Sequence, residues 1–347
     1  LQNLAWGIGQ PFMGAICDRF GGRLVVAGAA VLYCGGLAIM ASGSPFGLYL
    51  GGGLLIGLAV AATSHGVLVG IISRLASSEI RATAVSILAA VGSLGTFVVA
   101  PATQAMIERW NWQAALSGLS ILAASMAAMA ILFRHGNAQA RTGPGTPPPD
   151  ARRAISQALG NRTFIITTLA FFACGFQLIF IATHLPNFIA LCGLPPSVGA
   201  SALGLIGICN AFGTLLAGYL CQRLGNGLVL ALIYLLRTLA IALFFALPVS
   251  AETTLVFAAA MGFLWLSVVP PVSGVINDVF GPANFGALFG IMFLSHQVGA
   301  FLGAWLGGLS YQISGSYSIG WLSLIAVGIG ATLLQLSACR DRPRSQD

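Results

Sequence analysis

The chain has 347 residues, of which 57% are apolar and 7% charged, with a formal net charge of +7 and a mean hydropathy of +0.93. Soluble domains carry roughly 25% charged residues, so this composition excludes a water-soluble fold and points to an all-α membrane protein. Seven cysteines scattered singly along the chain fit neither a disulfide framework nor a zinc site, and no metal or cofactor is expected.

Eleven apolar runs follow in chain order, at residues 1–17, 24–41, 48–72, 85–107, 114–133, 164–189, 200–221, 228–247, 255–276, 285–309 and 319–339. A helix needs about 20 residues to cross ~30 Å of hydrocarbon. Helix is the expected element because lipid offers the backbone no partners, so a spanning segment must bond to itself. A barrel would need short alternating strands. The spacing Gly299-x-x-x-Gly303-x-x-x-Gly307 predicts a close helix-packing face.

The fifteen basic residues are all arginine. Arg19, Arg23, Arg74, Arg81, Arg134, Arg141, Arg152, Arg153, Arg162, Arg223, Arg340, Arg342 and Arg344 fall in one alternating set of connections, against Arg109 in the other. By the positive-inside rule the arginine-rich side is cytoplasmic, and the C-terminus with it. The positive charge is therefore topogenic and implies no nucleic-acid partner.

Compared with itself at a shift of 204 residues, the chain repeats: Gly14, Cys17, Arg19 and Gly21 fall on Gly218, Cys221, Arg223 and Gly225, and Gly95, Phe97 and Ala100 on Gly299, Phe301 and Ala304. The expected domains are an N-terminal half at 1–133, a cytoplasmic linker at 134–161, a C-terminal half at 162–339 and a tail at 340–347. The run at 164–189 has no counterpart in the first half, so a helix before Leu1 is expected to be missing, leaving eleven of twelve. The linker is rich in Pro, Gly and Arg. Asp150 at its end could cap a short helix over 151–159.

Two six-helix halves, a central linker and the sequence Gly14-Ala-Ile-Cys-Asp18-Arg19-Phe-Gly21-Gly22-Arg23 resemble the major facilitator superfamily. Its loop between the second and third helices reads G-x-x-x-D-R/K-x-G-R/K-R/K. Gly14, Asp18, Arg19, Gly21 and Arg23 match, and Gly22 stands where a basic residue is usual. The resemblance implies that this loop latches the halves together on the cytoplasmic side in the outward-open state. The second copy, Gly218, Arg223 and Gly225, has Gln222 in place of the acid, which implies a weaker latch. Thr183-His184-Leu185-Pro186, Phe280-Gly281-Pro282-Ala283-Asn284-Phe285-Gly286 and Gly315-Ser316-Tyr317 resemble the monocarboxylate and oxalate/formate branch. That branch commonly places an arginine on its eighth helix, where this chain offers only Asn210 and Thr214.

Ionisable groups within the membrane are costly and so mark function. Arg237 lies about 15 Å beyond the turn at Asn226 at 1.5 Å per residue, as a substrate contact or as a partner of neighbouring carbonyls. His296 and Gln297 lie near mid-membrane and offer a cation and hydrogen bonds. His65, Asn210 and Gln177 are further substrate-binding candidates, with Gln10 as a weaker one and His184 as a structural or gating residue. No Asp or Glu lies near the centre of any run. A cavity holding arginine, histidine and amides favours an anion, because charge-assisted hydrogen bonds offset desolvation. No nucleophile, phosphate-loop or metal-ligand motif supports an enzyme. The sequence therefore predicts a secondary transporter of a small organic anion, a monocarboxylate or related carboxylate, working by alternating access as symporter or antiporter with a coupled proton or counter-substrate. It is expected in the plasma (inner) membrane as a monomer, the alternative being a multidrug or neutral-metabolite exporter.

Overall fold

A computed structural model of the chain describes residues 1–64, 67–68, 71, 81–130, 151–281 and 285–340; of Asp18 and Arg19 the backbone alone is described. Among the described residues every regular element is helical. In chain order they are α1 (Gln2–Phe20), α2 (Gly22–Met40), α3 (Pro45–Ala62), α4 (Arg81–Arg109), α5 (Trp112–Ala130), α6 (Ala151–Leu159), α7 (Arg162–Leu191), α8 (Pro196–Leu224), α9 (Asn226–Ala246), α10 (Ala251–Leu264), α11 (Val269–Phe280), α12 (Phe285–Ser314) and α13 (Ser318–Arg340). Nine of the predicted runs are helical segments long and apolar enough to cross a membrane, and the other two are α1 and α4. The short helix α6 occupies its predicted position within the linker at 134–161, while Asp150 and the rest of 131–150 lie outside the described residues.

The repeat is visible in the geometry. Gly21 separates α1 from α2 and Gly225 separates α8 from α9, with φ of 84° and 81°. Each glycine N–H donates to the carbonyl four residues back, on Cys17 and on Cys221. Backbone at such φ with ψ near 150–160° is open essentially to glycine alone, which explains why the motif keeps that residue in both copies. Arg81 and Phe285, which open α4 and α12, stand the same 204 residues apart.

The chain divides into two compact units, Leu1–Gly92 with Ala102–Pro149, and Asp150–Asp347 with the short segment Ser93–Pro101. In the first, α1 packs on α3 and α2 on α5. In the second, α7 is the most buried helix and lies along α12, while α8 pairs with α10 and α9 with α13. Lipid tails are as apolar as leucine, so these pairs are held by close packing. A Cβ at Gly175 would collide with the His296 carbonyl, one at Gly299 with that of Phe172, and one at Gly303 with that of Phe176. The predicted glycine face therefore lets α7 and α12 meet backbone to backbone. Large apolar residues such as Phe212, Leu215, Leu243 and Val256 point outward, as the lipid-facing surface of such a bundle requires.

Two crossings expected as single helices are interrupted. The run at 255–276 breaks between α10 and α11, and the run at 48–72 leaves helical geometry at Thr63 and Ser64. The break between α10 and α11 has a covalent cause, since Pro270 and Pro271 in the first turn of α11 carry no N–H to donate back across it. At the break after Ala62, the Thr63 hydroxyl donates to the Ala59 carbonyl at 3.0 Å, offering the backbone a local alternative to the helix ladder. A π-helical stretch at Leu48–Leu55 precedes it.

Candidate functional site

The break in the second unit leaves backbone groups that only side chains can satisfy. At its start the Trp265 N–H turns back to the Gly262 carbonyl, and the Val269 N–H bonds to Leu266. The carbonyls of Leu264 and Trp265 are taken instead by Nη2 of Arg237 from α9, at 3.0 Å for Trp265. The Leu266 N–H donates to Oδ1 of Asn210 on α8 at 2.9 Å, an oxygen that also accepts from the Thr214 hydroxyl. Arg237 and Asn210 thus brace three consecutive residues, Leu264, Trp265 and Leu266, where the helix is interrupted.

Arg237 is fully buried, the only arginine, aspartate or glutamate in that state among the described residues. Its Nε and Nη1 have no hydrogen-bond partner. The charge is met by the negative end of α10 and by the Tyr234 ring, 6.0 Å from the guanidinium carbon. Cys174 on α7 lies against Arg237, His296 and Tyr234 and is itself fully buried. From α12, the His296 Nδ1 sits 3.3 Å from Oε1 of Gln297, and its ring stacks on Phe293 at 5.6 Å and tilts against Phe171 at 4.8 Å. One turn along α7 from Cys174, Nε2 of Gln177 donates to the Leu324 carbonyl at 3.1 Å.

These groups form one polar layer inside an otherwise apolar unit. Its unpartnered buried atoms include Nε and Nη1 of Arg237, the Tyr234 hydroxyl, Nε2 of Gln297 and Oε1 of Gln177. Most are donors, and buried donors without partners cost about 1–3 kcal/mol each. The layer is therefore chemically disposed to accept an anion or ordered water. His184 stands apart from it, with Nε2 2.8 Å from the Ala304 carbonyl and its ring among Phe180 and Tyr317. A cavity of about 260 Å³ also lies elsewhere, beside the Gly225 turn, lined by Gly225, Gly227, Val275, Gln335 and Cys339 among others.

Of the residues picked from sequence, Arg237, His296, Gln297 and Gln177 meet in this layer, and Asn210 sits at the break beside it. His65 lies outside the described residues. In the first unit Ser64 is buried with an unpartnered hydroxyl. Of the motif from Gly14 to Arg23, Gly14 lies within α1, Gly21 forms the turn and Arg23 is exposed in the first turn of α2. In its second copy Gly218 and Arg223 lie on α8, with Arg223 over the Tyr219 ring at 5.5 Å, and Gly225 forms the turn. There Nδ2 of Asn226 donates to Oδ2 of Asp278 at 2.9 Å, tying the turn to the end of α11. Sequence reasoning missed Cys174, Tyr234 and the break itself. Pro270-Pro271 was the available signal for the break, whereas a lone cysteine and a lone tyrosine on apolar faces carry none.

A helical, multi-span membrane fold with interrupted crossings and a buried polar layer defines a solute transporter. The chain belongs to the Major Facilitator Superfamily, whose family model matches residues 1–267 and 193–346. It is accordingly a membrane transporter of a small molecule and not an enzyme. It is 28% identical over 342 residues to monocarboxylate transporter 13 of Rattus norvegicus, covering 95% of this chain and 78% of the relative. An uncharacterized MFS-type transporter of Bacillus subtilis (strain 168), YcxA, is 26% identical over 363 residues, covering 98% of this chain and 85% of that one. Among solved structures, a mutant of the nucleoside transporter NupG superposes with a TM-score of 0.78 at 13% identity, and the Escherichia coli fucose:proton symporter FucP with 0.63 at 12%; each covers 97% of this chain and 89% of its own. These two establish the fold alone.

Proposed function

We propose that this transporter carries a small organic anion of the monocarboxylate class by alternating access. The observation that carries the reading is Arg237, a buried guanidinium with two unpartnered donors in a unit where no buried carboxylate among the described residues competes for it. A permanent charge in low dielectric needs an opposite charge, and a carboxylate matches the planar fork of a guanidinium. The likeness to monocarboxylate transporter 13 supports the same class. In this reading the substrate meets Arg237, His296 and Gln297, with Gln177 and Asn210 framing the site and His65 kept as a candidate from the sequence alone, and a proton or counter-substrate is coupled to its movement.

The protein resides in the plasma (inner) membrane with the arginine-rich connections and the C-terminus cytoplasmic. The domain limits given above apply, and the motif from Gly14 to Arg23 acts as the cytoplasmic latch. A competition panel in proteoliposomes tests the substrate class. Carboxylates should compete for uptake of a labelled monocarboxylate, while neutral sugars and lipophilic cations should not. Selective competition by cations, with carboxylates inert, would replace this reading with the exporter one.

A further inference from the structure

The two interrupted crossings are related by the internal repeat. Ser64 in the first unit corresponds to Val268 in the second at the 204-residue shift, and Tyr33 corresponds to Arg237. Arg237 reaches from α9 to the Leu264 and Trp265 carbonyls at the second interruption, where the matching position of the first unit holds a neutral tyrosine. The second interruption has proline on its far side and a further brace from Asn210.

We propose that Arg237 is a positioning residue that couples the charge of the substrate to the angle of the half-helix α11. This rests on the anion reading above. Arg237 now spends Nη2 on two carbonyls at the end of α10, which present only about half an elementary negative charge between them. Its other two nitrogens are unpartnered. A carboxylate arriving on Nε and Nη1 brings a full charge and a bidentate geometry, and it draws the guanidinium away from the carbonyls. The break then loses one of its two braces, and α11 swings as a lever about residues 265–268. Its far end is the point that matters for access, since Asp278 there is bonded to Asn226 in the Gly225 turn, the second copy of the latch motif. Substrate charge is in this way transmitted along one 12-residue helix to the cytoplasmic gate. Tyr33, at the matching position of the first unit, carries no such charge, so the response is confined to one half.

The test places a cysteine at Val279, exposed on the last turn of α11. A membrane-impermeant maleimide labels it from the cytoplasmic side in vesicles, counted over the parent chain without that cysteine. Arg237→Met should raise the labelling rate about tenfold, the shift that loss of one charge-assisted hydrogen bond produces, and should abolish any response to acetate. Acetate should raise labelling in the otherwise native chain. Asn210→Ala, which frees the Leu266 N–H beside the Arg237 contacts and keeps the charge, should raise the baseline in the same direction and retain the acetate response. That variant also carries the test if Arg237→Met does not elute as a folded, monodisperse protein. Native labelling in both variants overturns the brace. If both raise the baseline but acetate does nothing to the native chain, coupling to an anion is overturned, and a response to tetraphenylphosphonium in its place would put the fault in the anion reading while the hinge stands.

Discussion

At the scale of single residues, His296 separates a packing role from a binding one. Its ring stacks on Phe293 and tilts against Phe171 while Nδ1 lies 3.3 Å from Oε1 of Gln297. His296→Phe keeps the aromatic surface and deletes both nitrogens, so it should fold with near-native thermal stability and lose carboxylate uptake about tenfold, the equivalent of one hydrogen bond to a charged group. Uptake at the native rate in proteoliposomes would reduce His296 to a packing residue. Arg237 was visible in the sequence as a charge out of place, because an arginine in an apolar run is conspicuous whatever surrounds it. Its engagement with the carbonyls of another helix was not visible. The partners are backbone atoms 27 and 28 residues away, and backbone atoms have no sequence signature.

Among elements, the glycines of this chain fall into two kinds with different expected costs. Gly303 sits where α12 touches α7, with the Phe176 carbonyl in the place a Cβ would occupy. Gly303→Leu should force the helices apart and destabilise the protein by about 1–3 kcal/mol or more, read as an earlier loss of the monodisperse peak on heating in detergent. Gly225 instead has nothing near its Cβ position but a φ of 81°. Gly225→Ala should cost a similar ~1–3 kcal/mol through backbone strain, and its effect should concentrate on the turn, appearing as faster labelling at Val279→Cys rather than as a broad fall in stability. Equal global loss in both variants would contradict that separation. The glycine face was legible as a four-residue spacing. The helix break was legible only in part, since Pro270 and Pro271 mark where a ladder must fail but not which side chains take its place.

For the whole molecule, the repeat and the arginine pattern lead to one expectation about states. With the motif from Gly14 to Arg23 acting as the cytoplasmic latch, Asp18→Asn should leave membrane insertion intact, slow turnover and shift the population toward the inward-open form. Accessibility labelling from each side of sealed vesicles measures the shift, and unchanged labelling with unchanged turnover would leave the motif a topology signal only. The second copy lacks the acid at Gln222, yet Asp278 meets its turn from α11. A carboxylate is therefore present at that turn although no local motif announces it.

Composition, run length and the 204-residue repeat by themselves determined the helical membrane fold, while the family was legible only through the resemblance carried by Gly14 to Arg23. The fold follows from burial of backbone polar groups in lipid and from periodicity, both of which are local properties of a chain. The composition of the polar layer was half determined in the same way, since Arg237, His296, Gln297 and Gln177 are each unusual in apolar surroundings. Tertiary structure alone decided that they meet around Cys174 and Tyr234, and that Arg237 divides its donors between a broken helix and the buried layer. Those outcomes depend on which carbonyls are orphaned when two helices break, and that is settled only when neighbouring helices come close enough to supply the missing donors.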